Sequence, residues 1–492
     1  MAIEPYAGLD LDTAIESAGP ESFRVISQSG LGRFLAESRS LQERLVSIPV
    51  QERLEVLDTF GIMLDGDLRE GRFERLIEGL ATSTGYSERL IAGELAFIPS
   101  VLSSGSLMKC LRSSMVGAPS SLEGFAEIGE NEHIWHLPAG PSFIVSSGNS
   151  IIPTIVPTVI SLLTGNATIL KPSHSNCAGV AGVFRTLDRL HPSEARDAIR
   201  EALAVSYYTH DSPVLRFALG EARFGVINFW GGGQARSSIK RLVENNPHSP
   251  RFFVNGPMTG MALIDAASAN DENAEGLALN IALYDQQLCS SPTIVMFEGN
   301  TNQAIDLAIK VASNLDVIGS AMPMESDAVD AYSLHGARRF LQVKGSKVFS
   351  SKDAANPWTI AVSEGRSLLD GMVSAFPAMN IHGRKRFIEI VVLDSIEKGF
   401  DLITTLPASK AFDGIDGVQS VGIALAEGKM EQVKRRLALM GVYRTVPLPG
   451  MFMRSAIEPY DGMALPALFT HTIYMRDKDI FPNGRIDSIF QA

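Results

Sequence analysis

FIVSSGNSIIPTIVPTVISLLTGNATIL, residues Phe143 to Leu170, decides how the rest of the chain is read. The stretch is apolar over most of its length, which raises the question of a membrane span. Pro153 and Pro157 interrupt it, and Asn149, Gly165 and Asn166 would leave polar groups in hydrocarbon. Divided differently, it reads as strand (SFIVSS), turn (GN), helix (PTIVPTVISLLTG) and strand (ATIL). Proline near a helix start and glycine just past its end fit that division. The segment is expected to be a buried β-α-β unit, the building block of an α/β fold.

Two strand-to-helix turns follow. In ATILKPSHSN the strand ends at Lys171-Pro172-Ser173-His174, and a helix capped near Ser175 or Asn176 presents Val180, Phe184 and Leu187 on one face. In FGVINFWGGGQARSSIKRLVENN a β-rich run ends at Trp230, and Gly231, Gly232 and Gly233 open a helix with Ile239, Leu242 and Val243 on one side. A glycine turn feeding a helix N-terminus lets backbone N–H groups approach an anion, and the helix dipole favours negative charge there. Both turns would lie at the C-terminal ends of parallel strands, where open α/β sheets bind nucleotides. Alone, a glycine triplet is more often just a turn, and a lysine after a strand is usually a solvated charge. Their order along one chain gives them weight.

Cys289 comes later, in YDQQLCSSPT (Tyr284 to Thr293), after the helix-like AEGLALNIAL and before the strand-like TIVMF. A free cysteine is most often a small core hydrophobe. Here Gln286, Gln287, Ser290 and Ser291 surround it, so a purely apolar niche is not expected. A thiol on a polar hinge is a candidate nucleophile, because the reactive thiolate needs partial exposure and nearby donors.

Composition narrows the classes. The 492 residues are 45% hydrophobic and 20% charged, as in a soluble globular protein of two or three domains. A net charge of −12 argues against phosphate-neutralising nucleic-acid binding. Cys110, Cys177 and Cys289 are too few and too far apart for a disulfide framework or a zinc site, and no metal is expected. His133, His136, His191, His210, His248, His335 and His471 show no ligand spacing. Lys434, Arg435 and Arg436 read as the solvated face of a helix. The start, MAIEPYAGLDLD, lacks a basic region and an apolar region, so no secretory signal is expected and the cytoplasm is the default.

Taken in order, these motifs resemble the aldehyde dehydrogenase superfamily. FIVSSGNSIIPTIVPTVISLLTGNATILKPSHSN is similar to its strand, Asn turn, Pro-bearing helix, "GN" and "LKPSE". NFWGGGQ sits where the superfamily has its "FTGST" cofactor turn, and YDQQLCSSPT where it has "GQ-C" and the nucleophile. VQSVGIALAEGKMEQVKRRLALMGVYRTVPL fits its late strand–helix–strand unit. The wording around Cys289, and PYDG around Asp461, resemble the LuxC-like acyl-CoA reductase branch, the fatty acid reductases of luminous bacteria. The likeness runs from about residue 130 to 470; the first ~130 residues read as helical and amphipathic without a motif.

The resemblance implies a two-domain α/β fold. A Rossmann-like cofactor-binding domain takes residues 1–260, a catalytic domain 261–450, and a tail 451–492 returns to the first domain or forms a subunit contact. It implies Cys289 as the nucleophile and Asn149 as a donor to the developing oxyanion. Lys171, Ser173 and His174 would hold the adenosine ribose or its phosphate, and Gly231 and Gly232 would pass the diphosphate. Departures from the superfamily matter as much. Its "ELGGK" glutamate, which activates the deacylating water, is replaced by FFVNGPMTG, with Asn255 and no acid. Its "EEIFGPV" glutamate is missing from NIHGRKRFIEIVVL, where His382 and Glu389 are the nearby titratable groups. Without a base, water attack on an acyl-cysteine should be slow. The expected reaction is therefore reduction of a long-chain acyl-CoA or acyl-protein thioester to an aldehyde. NADPH is the expected donor and NADH the weaker one, since His174 stands where "KPSE" has its glutamate. The resemblance further implies acyltransferase and acyl-protein synthetase companions and a homo-oligomer. An oxidising aldehyde dehydrogenase and a non-redox cysteine acyltransferase are the competing classes.

Overall fold

The computed structural model describes residues 3–324 and 328–477; residues 478–492 of the expected tail lie outside the described residues. Two large sheets organise the chain. In the first, Ser142–Val145, Thr168–Lys171, Leu203–Val205, Val226–Trp230 and Arg251–Asn255 run parallel, with the first of these paired on both sides, to Thr168–Lys171 and to Val226–Trp230. The strand order therefore reverses direction at Ser142–Val145. That reversal is a topological switch point, and the crevice beyond the carboxyl ends of its strands is where such sheets bind ligands. The turns at Asn149 and Gly231 follow these two strands.

The register brings the ends level: Val145 lies opposite both Lys171 and Phe229. Between the first two strands, Ile152–Leu163 is a helix with Pro153 in its first turn, buried from Thr154 to Leu163. A helix apolar all round is stable only inside a core. Gly165, at φ +90°, reverses the chain into the next strand. No single helix among the described residues is long and apolar enough to cross a membrane.

The second sheet orders Lys347–Ser350, Thr359–Glu364, Phe387–Leu393, Pro292–Glu298, Met258–Asp265, Gly417–Ala424 and Arg444–Pro447, parallel except at its first pair. Phe387–Leu393 is buried along its whole length, as expected of a strand covered on both faces. The late unit expected from VQSVGIALAEGKMEQVKRRLALMGVYRTVPL is present as strand Gly417–Ala424, helix Glu427–Leu439 and strand Arg444–Pro447.

The N-terminal part differs from its all-helical reading. Tyr6–Ala7 adds an antiparallel edge to the first sheet, and Thr13–Ala18 pairs with Glu21–Ile26 in a hairpin. Five helices between Gln28 and Ser114 follow. Ser27, Ser87 and Ser103 cap three of them by accepting from backbone N–H groups three residues on. At the other end of the chain, Thr470–Arg476 pairs antiparallel with Glu132–Pro138. One apolar core joins residues from Tyr6 to Phe253 with Leu465 and Phe469. Two others fill the faces of the second sheet.

Candidate active site

Cys289 lies between helix Asp271–Ala282 and strand Pro292–Glu298, after a turn in which Tyr284, Asp285 and Gln286 have φ of 52°, 50° and 68°. Three successive left-handed residues other than glycine cost about 1–3 kcal/mol each and persist only where their surroundings over-determine them. They do so here. Asp285 pairs with the buried Arg386 at 2.8 Å, and Arg386 also donates to the Gly319 carbonyl and Asn356 Oδ1. Gln286 donates to the Pro292 carbonyl at 2.7 Å and accepts from the Phe387 N–H at 2.6 Å. The Tyr284 ring meets Tyr86 edge-on at 5.5 Å. The loop is thus rigid on the side facing the second sheet.

Burial, then the charge of Asp461, pushes the Cys289 thiol up; Arg454 and the Gln419 amide pull it down. The net shift is upward from 9.0, so the resting thiol is protonated at neutral pH.

Asn149 reaches this loop from the first sheet. Its Nδ2 donates to the Gln287 carbonyl at 3.0 Å, and its Oδ1 accepts from Ser147 Oγ at 2.9 Å. It is absent from the left-handed residues, so its presence is not explained by tolerance of that conformation. Glu94, on helix Glu88–Leu102, anchors the same turn. It accepts from the N–H groups of Ile151 and Ile152 at 2.7 and 3.2 Å and from the Ser150 hydroxyl. A carboxylate there also answers the positive end of helix Ile152–Leu163. Burial raises its pKa despite these donors.

The turn after Thr168–Lys171 packs against Tyr207. Lys171 Nζ lies 5.1 Å from that ring, and burial pushes its pKa down to about 8. It is not the solvated charge that lysine usually is. Ser173 Oγ shares a hydrogen bond with Ser175 Oγ at 3.1 Å and accepts from the Asn176 N–H. His174 packs edge-on against Tyr207 at 5.3 Å, and its Nε2 lies 2.9 Å from Glu21 Oε2 on the N-terminal hairpin. The hairpin thus returns a carboxylate to the neighbourhood from which His174 had removed one. Gly231 sits at φ +147°, and a Cβ on Gly232 would lie 2.3 Å from Pro257. Glycine is required at both, and helix Gly233–Glu244 opens directly behind them.

Asn255 ends the last strand of the first sheet. Its Nδ2 donates to Asp461 Oδ2 at 3.2 Å, and Gln419 Nε2 donates to Asp461 Oδ1 at 2.5 Å. The charge of Asp461, from PYDG, raises the pKa of the Cys289 thiol. Burial raises the pKa of Asp461 itself. Asp461 also lines a cavity of about 630 Å³ with Val254, Met258, Ile403, Val418 and Met463. His382 is exposed. Glu389 is buried in mid-strand, its carboxylate taken up by Ser363, Ser367 and the Leu368 N–H.

Against known proteins, residues 45–470 match the family described as acyl-CoA reductase (LuxC). The chain belongs to that family. It is 25% identical over 292 residues to a long-chain acyl-protein thioester reductase of Vibrio harveyi, over 58% of each chain. It is 26% identical over 257 residues to the protein of that name from Aliivibrio fischeri, over 52% of this chain and 51% of the relative. The chain thus spans little more than half the length of these curated relatives. The fold is that of aldehyde dehydrogenases. Methylmalonate-semialdehyde dehydrogenase from Oceanimonas doudoroffii superposes with a TM-score of 0.69 at 14% identity, over 97% of this chain and 99% of that one. Aldehyde dehydrogenase 21 from Physcomitrella patens gives 0.69 at 12%, over 96% of each.

Within this LuxC-family chain, the structure joins Asn149 to the Cys289 loop and sets Lys171 beside His174 at Tyr207. Glu94, Glu21, Gln419 and Asp461 escaped the reading of site roles. Only Asp461 had a signal, as part of PYDG, and that pointed to kinship rather than to a place beside the thiol.

Proposed function

We propose that this chain reduces a long-chain acyl thioester to the aldehyde through an acyl group carried on Cys289, with NADPH as the preferred donor and NADH the weaker one. The supporting observation is the 3.0 Å contact from Asn149 Nδ2 to the Gln287 carbonyl. It ties the turn at the switch point of the first sheet to the thiol loop of the second, and the glycine turn at Gly231 and Gly232 opens a helix of that first sheet.

In this reading the Cys289 sulfur attacks the acyl carbon, the bond to the donor thiol breaks, and the proton lost by Cys289 ends on that thiol. Asn149 keeps one N–H beyond the one given to Gln287. With the Cys289 backbone N–H it stabilises the oxyanion, and losing one such donor costs about 100- to 1,000-fold in rate. Lys171, Ser173 and His174 hold the adenosine ribose and its 2′-phosphate, while Gly231 and Gly232 admit the diphosphate. A bound nicotinamide supplies the hydride that carries two electrons to the acyl carbon. The alkoxide on Cys289 then collapses to the aldehyde, and sulfur leaves with the bonding pair.

The stretch FFVNGPMTG, with Phe253, Val254 and Asn255, brings no acid to activate water, and both Asp461 oxygens are engaged by Asn255 and Gln419. That favours reduction over aldehyde oxidation. The names of the relatives support an acyl-protein donor beside acyl-CoA, and we add acyltransferase and acyl-protein synthetase companions to the proposal. We further propose a cofactor-binding part at 1–260, a catalytic part at 261–450, a tail at 451–492 returning to the first, and a homo-oligomer. Three free thiols suit the reducing cytoplasm.

Intact-mass spectrometry with a panel of acyl-CoAs, followed by NADPH or NADH, tests the reading. A Cys289-borne adduct should form, persist well beyond one turnover without cofactor, and discharge as aldehyde with it. An adduct on Cys289→Ala, or rapid release of free fatty acid from the unmutated protein, would overturn it.

A further inference from the structure

Helix Glu88–Leu102 lies in the N-terminal part, which carries no motif, yet it packs on both halves of the chain. Ile91, Leu95, Ile98 and Leu102 belong to the core of the first sheet, whereas Leu90 belongs to a core of the second. Tyr86, just ahead of the helix, meets the Tyr284 ring of the thiol loop at 5.5 Å. One turn beyond Leu90, the buried Glu94 is bonded to the turn that carries Asn149.

Helix Ile152–Leu163 has no cap of its own, because Ile151 stands at its N-cap and an apolar side chain accepts nothing from the orphan N–H groups. Glu94 supplies the missing acceptor from another helix. A single oxygen, Oε1, accepts from the Ile151 N–H at 2.7 Å, the Ile152 N–H at 3.2 Å and the Ser150 hydroxyl. The turn after Thr168–Lys171 holds the same backbone elsewhere. Asn176 Nδ2 donates to the Ser150 carbonyl at 3.2 Å, and Ser175 Oγ to the Gly148 carbonyl at 3.4 Å. The backbone is thus fixed on each side of Asn149, whose side chain reaches across to the Gln287 carbonyl at 3.0 Å.

We infer that Glu94 is a positioning residue, which fixes Ser150 to Ile152 and through them the aim of the Asn149 amide. The inference rests on the acyl-cysteine reading, in which Asn149 donates to the oxyanion. Such a donor works only where the oxyanion will stand, and a misplacement of about 1 Å costs about 100-fold in rate. Removing the carboxylate leaves the Ile151 N–H and the Ser150 hydroxyl without their acceptor in a buried place. The first turn of the helix must then shift to find partners, and Asn149 shifts with it.

The test is a double-mutant cycle with Asn149 on the full chain, read by intact mass as the rate of acyl-adduct formation from tetradecanoyl-CoA. Glu94→Ala should slow acylation at saturating thioester by about 100-fold and leave the half-saturating concentration where it was. Glu94→Gln keeps an oxygen for the Ile151 N–H, as a weaker acceptor than a carboxylate, and should recover the rate to within about tenfold of the parent. In an Asn149→Ala background neither substitution should slow acylation further, because no amide is left to aim. Iodoacetamide serves as the control, since the Cys289 sulfur displaces iodide from it without forming an oxyanion. Its reaction with Glu94→Gln should keep the parental rate. Losses that multiply in the Asn149→Ala background, parental acylation in both Glu94 variants, or alkylation that falls in step with acylation would overturn the inference and leave the reductase reading standing. Parental acylation by Asn149→Ala alone would instead overturn the oxyanion role in that reading, and the inference with it.

Discussion

Cofactor choice turns on one exposed pair. His174 Nε2 lies 2.9 Å from Glu21 Oε2, with 47% and 62% of the two side chains exposed. A 2′-phosphate bound beside Lys171 and His174 must compete with that carboxylate. At this exposure the effective dielectric is close to that of water, so one unit charge at contact range is worth about 1 kcal/mol. Glu21→Gln should therefore raise the NADPH-over-NADH ratio about fivefold, because one kcal/mol is a factor of about five. His174→Glu adds a negative charge and removes the imidazole in one step. It should move the ratio toward NADH by about ten- to hundredfold, equivalent to about 1–3 kcal/mol. The assay is a fluorescence titration of each nucleotide, with Trp230 next to the glycine turn as the reporter. Repeating it at high salt should shrink both effects, since exposed charges are screened. Equal or tighter binding of NADH by the unmutated protein would remove the argument. So would a Glu21→Gln ratio that does not move.

Lys171 adds a pH dependence: with its pKa at about 8, its charge is lost as pH rises through that value. NADPH affinity should weaken between neutral pH and about 9 more than NADH affinity does, and Lys171→Met should flatten the difference in the same titration. The sign for folding is opposite. The unfolded lysine binds more protons between about 8 and 10.5, so the penalty of burying it is relieved as pH rises across that window. Arg386→Met should leave Asp285 buried without its partner and cost about 3–5 kcal/mol, read as a lowered denaturation midpoint with reduced Cys289 reactivity. An unchanged midpoint would show that the left-handed turn is not held by this pair.

What could be read along the chain was what neighbouring residues announce. Pro153 and Gly165 bracket a helix, and Gly231 and Gly232 mark a turn with no room for a side chain. Apolar runs at Phe143 and Thr168 fall in adjacent parallel strands. What could not be read depends on separation. Glu94 is 56 residues from Ser150, Glu21 is 153 from His174, and Asp461 is 206 from Asn255. No periodicity links such pairs. The hairpin Thr13–Ala18 and Glu21–Ile26 was lost among helices because its strands are short, and Glu21–Ile26 buries only its later residues. Lys171 looked solvated because lysine usually is, and tertiary packing overrode that preference.

Asn255, in the stretch FFVNGPMTG that carries no acid, takes on a different meaning once its partner is visible. A glutamate at that position would carry its charge on the first sheet, free to orient water. The amide instead donates to Asp461, a charge delivered from the C-terminal segment and already shared with Gln419. Each Asp461 oxygen therefore already has a protein donor, and those donors lower the basicity that burial raises. The charge of Asp461 raises the pKa of the thiol, while its own oxygens are shared with Asn255 and Gln419. On the proposed reading, one arrangement both disfavours hydrolysis and acts on the nucleophile, and discharge of an acyl-cysteine is left to hydride.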